Sequence, residues 1–313
     1  MARDDQPIFT RSKLFLLLTG VNEIMNKDYL AKSLAFNGEV RVYAARTTNL
    51  VNEANKIATA YPTGAAAIGR TLTATAMMGS MLKGQETVTV RIKGGGPIGL
   101  IIADANAQGK VRGYASNPRV HFQYHSGKLN VGMAVGTEGN LYVTKDLGLK
   151  DYFTGQVPLQ TGEIGDDFTY YFTQSEQTPS AVGLGVLVSE ENEVLAAGGF
   201  MIQVMPNASE EAISALEKSL SVIKSVSDMI AEGMTPEEMT AELVGKSNFK
   251  VLETMPLAFE CHCNKEKFLS GLATLGNVEL DEMIKEDKGA ETVCHFCMQK
   301  YQFTAEELEA LKK

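Results

Sequence analysis

Apolar and polar positions change rhythm several times along the chain, and each change marks a candidate element. From Leu30 to Ala45 they alternate on either side of Asn37-Gly38, a pair suited to a tight turn, and so predict a β-hairpin. Pro62 to Leu82 lacks that alternation. It is rich in Ala, Gly and Thr, with Met77, Met78 and Met81, and reads as a buried helix whose small residues allow close approach. Three strand-like runs follow, Thr87 to Ile92, Ile98 to Ala103 and Lys110 to Ala115, separated by Gly94-Gly95-Gly96-Pro97 and by Asn106 to Gly109; they predict an antiparallel meander. Ile164, Phe168, Tyr171, Phe172 and Ser175 recur at helical spacing, and Ala181 to Val188 with Val194 to Val204 form another strand pair across Glu190 to Glu193. This mixture gives an α+β class for an N-terminal sheet-and-helix domain over residues 25–205.

At Pro206 the pattern turns helical. Asn207, with Glu210 three residues on, predicts a capped helix start, and Ile213, Leu216, Leu220, Ile223 and Ile230 form an apolar stripe that Gly233 ends. Thr235-Pro236-Glu237-Glu238 predicts a second start, with a capping box and a proline at the first position, carrying Met239 and Leu243 until Gly245. The opposite faces are dense in Ser, Glu, Lys and Asp, so these helices depend on docking the stripe elsewhere. Residues 206–258 are therefore expected to be a metastable helical linker whose stripe, Ile213, Leu216, Leu220 and Ile223, masks an apolar surface of the first domain. A small C-terminal domain occupies 259–313.

Composition narrows the function. With 313 residues, 44% apolar and 21% charged, the chain can bury at least one full-sized core. The longest apolar run near the start, Leu14 to Leu18, falls far short of the roughly 20 residues a membrane span requires. It follows Arg11 and Lys13 as a secretory signal would, but Asp4 and Asp5 precede it and no convincing small-x-small cleavage site follows, so a cytoplasmic location is expected. Lys and Arg total 29 against 38 Asp and Glu, and the net charge of -9 disfavours nucleic acid and anionic membranes as partners.

All four cysteines lie between Cys261 and Cys297, as Cys261-His262-Cys263 and Cys294-His295-Phe296-Cys297. Two close pairs on separate knuckles supply the four converging thiolates of a tetrahedral zinc site, with little loop entropy to fix within each pair. An inert zinc ribbon and a redox switch both fit that pattern. The C-x-C half favours the switch, because cysteines one residue apart are an uncommon structural knuckle yet can form a strained, easily reduced disulfide. Zinc would keep the thiols as thiolates, and its loss should unfold a segment too small to fold alone.

Two other functions use the same residues. A thiol-disulfide oxidoreductase could employ Cys294-x-x-Cys297, although no β-α-β unit surrounds it. A zinc-ribbon nucleic-acid module is disfavoured, because Glu260 to Lys313 carries seven lysines against eleven acids, a net of -4. Elsewhere, Gly94 to Gly99 leads into a strand without a following Lys-Ser or Lys-Thr, so it reads as a turn rather than a phosphate cradle. Ser221-Val222-Ile223-Lys224 lacks the companion motifs of a penicillin-binding site. His121 and His125 lie on a strand-like run that would hold them roughly 13 Å apart. His262 and His295 are expected to tune the cysteine site or face solvent. No catalytic residue is expected and the chain reads as a non-enzyme.

From about Met25 onward the chain resembles the bacterial redox-regulated zinc chaperone family, the thirty-three-kilodalton heat-shock chaperonin. The resemblance rests on Tyr43-Ala44-Ala45-Arg46, Gly94 to Gly99, Gly109-Lys110-Val111-Arg112-Gly113-Tyr114, Thr144-Lys145-Asp146-Leu147-Gly148, Ser175 to Ser180, Gly198-Gly199-Phe200 and the paired cysteine motifs. It implies that reduced Cys261, Cys263, Cys294 and Cys297 bind one zinc ion in an inactive monomer. It also implies that oxidation pairs Cys261 with Cys263 and Cys294 with Cys297, releases the linker, and yields an ATP-independent holdase that binds unfolded client proteins and can form a homodimer. Residues 1–24 precede the family pattern and are expected to be an added or upstream-start extension, with an apolar patch around Phe15.

Overall fold

The computed structural model describes residues 27–312; the extension over 1–24 lies outside the described residues. The first hairpin pairs β1 (Tyr29–Ala35) with β2 (Val40–Arg46) through a single tight turn. Phe36, Asn37 and Gly38 take φ of 50°, 55° and 98°, left-handed values that asparagine and glycine accept readily. Helices α1 (Thr48–Ala58) and α2 (Pro62–Gly79) follow. As the small-residue texture predicts, α2 is buried at every position from Thr63 to Gly79 except Arg70. Its threonine hydroxyls are satisfied internally: Thr71, Thr73 and Thr75 donate to the carbonyls of Ala67, Gly69 and Thr71 at 2.7–2.8 Å.

Around α2 lie two sheets. The meander forms as β3 (Thr87–Lys93), β4 (Leu100–Asn106) and β5 (Lys110–Ala115). It is extended beyond β3 by β6 (Asn140–Asp146) and β7 (Phe153–Pro158), with the short helix α3 (Val131–Val135) leading in and α4 (Gly165–Gln174) following. The last pair, β8 (Ser180–Val188) and β9 (Val194–Val204), joins the first hairpin instead, β9 lying against β2. The α+β class is as expected.

Three helices then cross the outer face of that first sheet: α5 (Glu210–Val222), α6 (Val226–Ala231) and α7 (Pro236–Val244). Sheet residues Val40, Val42, Ala44, Ala196, Phe200 and Ile202 pack with Leu216, Val226, Met229, Ile230, Met239 and Leu243 in one cluster. The intervening Tyr43, Ala45, Ala197 and Met201 point the other way, into the cluster around α2. Sheet residues covered on both faces read as continuous apolar runs, as β9 does from Val194 to Ile202.

Several expectations in this region are corrected. The first linker helix is capped by Ser209, not Asn207: the Ser209 hydroxyl accepts from the Ala212 amide at 3.3 Å while donating to Glu39 Oε2 at 2.6 Å, and Asn207 sits at φ 68° before the helix. The stripe is not one helix. It breaks after Val222, because Ile223 is extended and Ser225 starts α6 by accepting from the Asp228 amide at 3.2 Å. Nor is the segment helical throughout, since residues after Val244 form β10 (Phe249–Pro256), antiparallel to β1 at the sheet edge. The second helix start is as read: Thr235 and Glu238 form the capping box of α7.

A two-residue strand, β11 (Ala258–Phe259), runs parallel to β5 and carries the chain to the second sheet. The C-terminal module comprises α8 (Lys265–Leu272), α9 (Asn277–Glu286), the hairpin of β12 (Gly289–Val293) and β13 (Lys300–Thr304), and α10 (Ala305–Glu309). Its buried apolar core is small: Leu272, Leu280, Phe303 and Leu308.

The N-terminal end of α1 is held from a distance. Asp28 accepts the Leu50 amide at 2.6 Å and the Asn49 side-chain amide at 3.3 Å. Burial pushes its pKa from 3.8 up to about 6, against the pull of the Leu50, Asn49 and Thr48 backbone amides and of Arg46. The folded state therefore takes up this proton before the unfolded state does, so the charged group costs stability at neutral pH and the cost is relieved as pH falls from above 6 towards 4. Urea unfolding at about pH 7.5 and about pH 5 should show wild type gaining about 1.4 kcal/mol relative to Asp28→Asn over that interval. Parallel pH dependences would refute the assignment.

Candidate metal centre

Two knuckles present the cysteines. The first leaves β11 with the Glu260 amide bonded to the Val111 carbonyl at 2.9 Å, and ends where Asn264 caps α8 by accepting from the Lys267 amide. The second is the turn between β12 and β13, closed by the Met298 amide on the Cys294 carbonyl at 2.7 Å and the Cys294 amide on the Gln299 carbonyl at 2.9 Å. Met298 takes φ 60° to make that turn.

The four thiols are free and their sulfurs all lie within 4.8 Å of one another. Cys261 Sγ is 3.7 Å from Cys294 Sγ, and Cys263 Sγ is 3.3 Å from Cys297 Sγ, so the nearest neighbours lie across the two knuckles. Four thiolates about 2.3 Å from a zinc ion at the corners of a tetrahedron would stand about 3.8 Å apart. The spacing and the all-sulfur donor set therefore fit zinc. Among the described residues this is the one group of three or more His, Cys, Asp or Glu side chains placed to hold a metal. Neither histidine belongs to it: His262 Nδ1 lies 3.4 Å from Glu260, and the His295 ring stacks on Tyr114 with centroids 5.3 Å apart.

Electrostatics explains why such a cluster calls for a cation. Burial opposes ionisation of Cys263, but the Tyr301 hydroxyl, donating at 3.2 Å, and the three other thiols outweigh it and bring its pKa down to about 7. Burial pushes Cys294 and Cys297 up, and the hydrogen bond to Cys263 lifts the Tyr301 phenol to about 12. Unaided, then, burial disfavours the thiolate at Cys294 and Cys297. A divalent ion reverses that, since its charge stabilises all four thiolates together.

The Hsp33 protein family model matches residues 28–304. The chain belongs to the Hsp33 family. Among curated relatives, the 33 kDa chaperonin of Bacillus velezensis is 57% identical over 286 residues, covering 91% of this chain and 98% of the relative. That of Staphylococcus aureus is 56% identical over 288 residues, covering 92% and 98%. The crystal structure of the 33 kDa chaperonin, a heat shock protein 33 homolog, from Thermotoga maritima superposes with a TM-score of 0.85 at 34% identity, covering 91% of this chain and 98% of that one.

Within this Hsp33 fold, the expected site residues separate into two groups. Cys261, Cys263, Cys294 and Cys297 converge as anticipated. Of the stripe, Leu216 is buried, whereas Ile213, Leu220 and Ile223 are half-buried; Val226, Met229, Ile230, Met239 and Leu243 lie deeper. Cys294-x-x-Cys297 occupies a hairpin turn rather than the first turn of a helix, so it lacks the helix N-terminus that activates an oxidoreductase thiol. His121 to His125 is irregular, with only a bridge between Gln123 and Leu129, and not the strand expected. No helix among the described residues is long and apolar enough to cross a membrane. Tyr301 and Arg112, both touching cysteine sulfurs, were not singled out from sequence as site residues.

Reduced protein should contain about one zinc per chain by metal analysis, and Cys294→Ser should lower the affinity by at least about tenfold. Because protons compete for the thiolates, affinity should fall as pH falls, by at least about tenfold from pH 8 to pH 7 in a chelator competition. Zinc-free reduced protein, or binding insensitive to both changes, would reject the site.

Proposed function

We propose that the chain is a redox-regulated, ATP-independent holdase of the cytoplasm. The observation that carries this reading is that an apolar sheet face is covered by helices α5–α7, while the chain continuing from them runs through β10 and β11 directly into a four-thiol cluster. Zinc, when bound, would hold the sulfurs as thiolates and tie the knuckles together. Residues 28–205 act as a core with a client-binding face, 206–258 as the metastable cover and 259–313 as the switch.

The chain's own chemistry then follows. Two equivalents of a peroxide accept four electrons from the four thiolates and take four protons from solvent to give hydroxyl products; two disulfides form, and the sulfurs, no longer thiolates, would release the cation they held. The resemblance favours pairing Cys261 with Cys263 and Cys294 with Cys297. In the closed cluster the nearest sulfurs lie across the knuckles, so this pairing joins sulfurs within each knuckle and leaves no bond between the two, which are then free to part. Four buried apolar side chains cannot hold the parted module folded. Its loss frees β11 and the end of the linker, uncovers the sheet face for unfolded clients, and lets two activated chains associate.

Hydrogen exchange of the oxidised protein should show protection retained before Pro206 and lost after it; uniform loss would sink the division into core and switch.

The cover can also be displaced without touching sulfur. Helix α6 approaches the sheet over Gly185, where an added Cβ would stand 2.5 Å from the Ser227 amide nitrogen and 2.9 Å from Val226 Cβ. Gly185→Ala should therefore weaken linker docking by about 1–3 kcal/mol. The variant should keep its zinc, lose amide protection across α5–α7, and suppress aggregation of a denatured reporter under reducing conditions. A loosened, zinc-loaded variant with no such activity would show that uncovering this face is not the switch.

A further inference from the structure

Strand β5 has two different faces. Val111, Gly113 and Ala115 point inward, and an added Cβ on Gly113 would stand 2.8 Å from Leu72 of α2. Lys110, Arg112 and Tyr114 point outward, and every one of them meets the C-terminal module. Lys110 Nζ pairs with Glu260 at 2.6 Å. Tyr114 stacks on His295 and meets Phe296 edge-on, with centroids 5.3 and 5.1 Å apart. The Arg112 guanidinium lies 4.1 Å over the Phe296 ring and points Nη1 at Cys261 Sγ, 3.9 Å away.

Arg112 is itself fixed from the core side. Asp104, directly opposite on β4, accepts from its Nε at 2.9 Å and its Nη2 at 2.8 Å. Thr89, opposite Asp104 on β3, donates to the other carboxylate oxygen at 2.8 Å. A chain of cross-strand contacts thus runs across three strands and ends on a cysteine from one knuckle and an aromatic ring from the other.

We propose that the outer face of β5 is the dock of the metal module and that Arg112 is its positioning residue, coupling the thiolate state of Cys261 to docking. This rests on the reading of the four cysteines as a metal site. Backbone pairing alone is too short to hold the module, since β11 matches β5 over only Ala258 and Phe259. The forked guanidinium supplies what the strand lacks: two nitrogens stay on Asp104 while the third reaches sulfur. A thiolate is a good acceptor for that third N–H, whereas a disulfide sulfur carries no charge to attract it. Oxidation of Cys261 therefore cuts the tether on the module side and leaves Arg112 with Asp104 on the core.

Cobalt in place of zinc gives the test, because thiolate-to-cobalt absorption responds to hydrogen bonds at sulfur. Reduced wild type, Arg112→Met and Arg112→Lys are each loaded with one equivalent of cobalt. Methionine preserves length and packing on Phe296 but removes the N–H groups. All three should bind cobalt. Arg112→Met should shift the charge-transfer band and speed hydrogen exchange at Ala258 and Glu260 at least about tenfold; Arg112→Lys should lie between. Asp104→Asn, which leaves the arginine in place but loosens its hold, should produce the same changes more weakly. Bound cobalt with an unmoved spectrum and unmoved exchange in Arg112→Met overturns this proposal alone, as does loss of cobalt from that variant. Wild type that binds no cobalt removes both this proposal and the metal reading. No client or oxidant enters the experiment, so failure of holdase activity would leave the tether standing.

Discussion

Both faces of the sheet formed by β10, β1, β2, β9 and β8 are apolar, and each must be kept from water. The inner face is met by α2, buried almost all round between the two sheets. The outer face is met by α5–α7, short amphipathic helices that cannot persist alone. Burying a side chain such as Met239 or Leu243 stabilises the folded state by roughly 1.5–3 kcal/mol, while ordering each backbone residue costs about 1–2 kcal/mol. On the proposed reading, the gain from these anchors is set against the ordering of the whole polar-flanked segment, and the cover is held close to balance. The inner face is a core; the outer one is a seal.

What tips that balance lies away from the seal. The end of the linker is pinned where β11 meets β5 and where the first knuckle begins, so in the proposed switch the fate of four sulfurs would act on the helices through a short length of extended chain. The module cannot take over the task by its own packing, because its core is no larger than Leu272, Leu280, Phe303 and Leu308 with their half-buried neighbours. Its order depends on the sulfurs being held together. On the proposed reading, this dependence makes a chemical change at four atoms large enough to matter for some fifty residues of linker.

Much of this was legible in the chain because it is local. Alternation about Asn37-Gly38 gave the first hairpin, small residues gave α2, and spacing alone brought the cysteines together. The misreadings have long-range causes. Ser209 displaces Asn207 as a cap because Glu39, far away in sequence, receives its hydroxyl and amide. The stripe through Ile223 kept helical period across a break, although Ser225 and Asp228 carried the signature of a new start. Strand β10 is not legible in the sequence, because it lies on an edge with much of its surface in water, which blurs alternation. The unbroken apolar run of β9 from Val194 to Ile202 is the local mark of a sheet covered twice, and it carries no period. Arg112 was visible only as part of a motif, and its partners come from three separate stretches of sequence.

The place of β10 at the rim of the first sheet has a further consequence. It is sequence-continuous with the cover, yet it satisfies the backbone of β1 from Tyr29 to Ala35, the register slipping once between Lys32 and Ser33. Were it to leave with the helices, the sheet would gain a raw edge as well as a bare face. Unpaired amides and carbonyls along such an edge are a template for any extended chain, whatever its side chains. Recognition of this kind is indifferent to sequence, and it would lie beside an apolar surface that is nearly as indiscriminate.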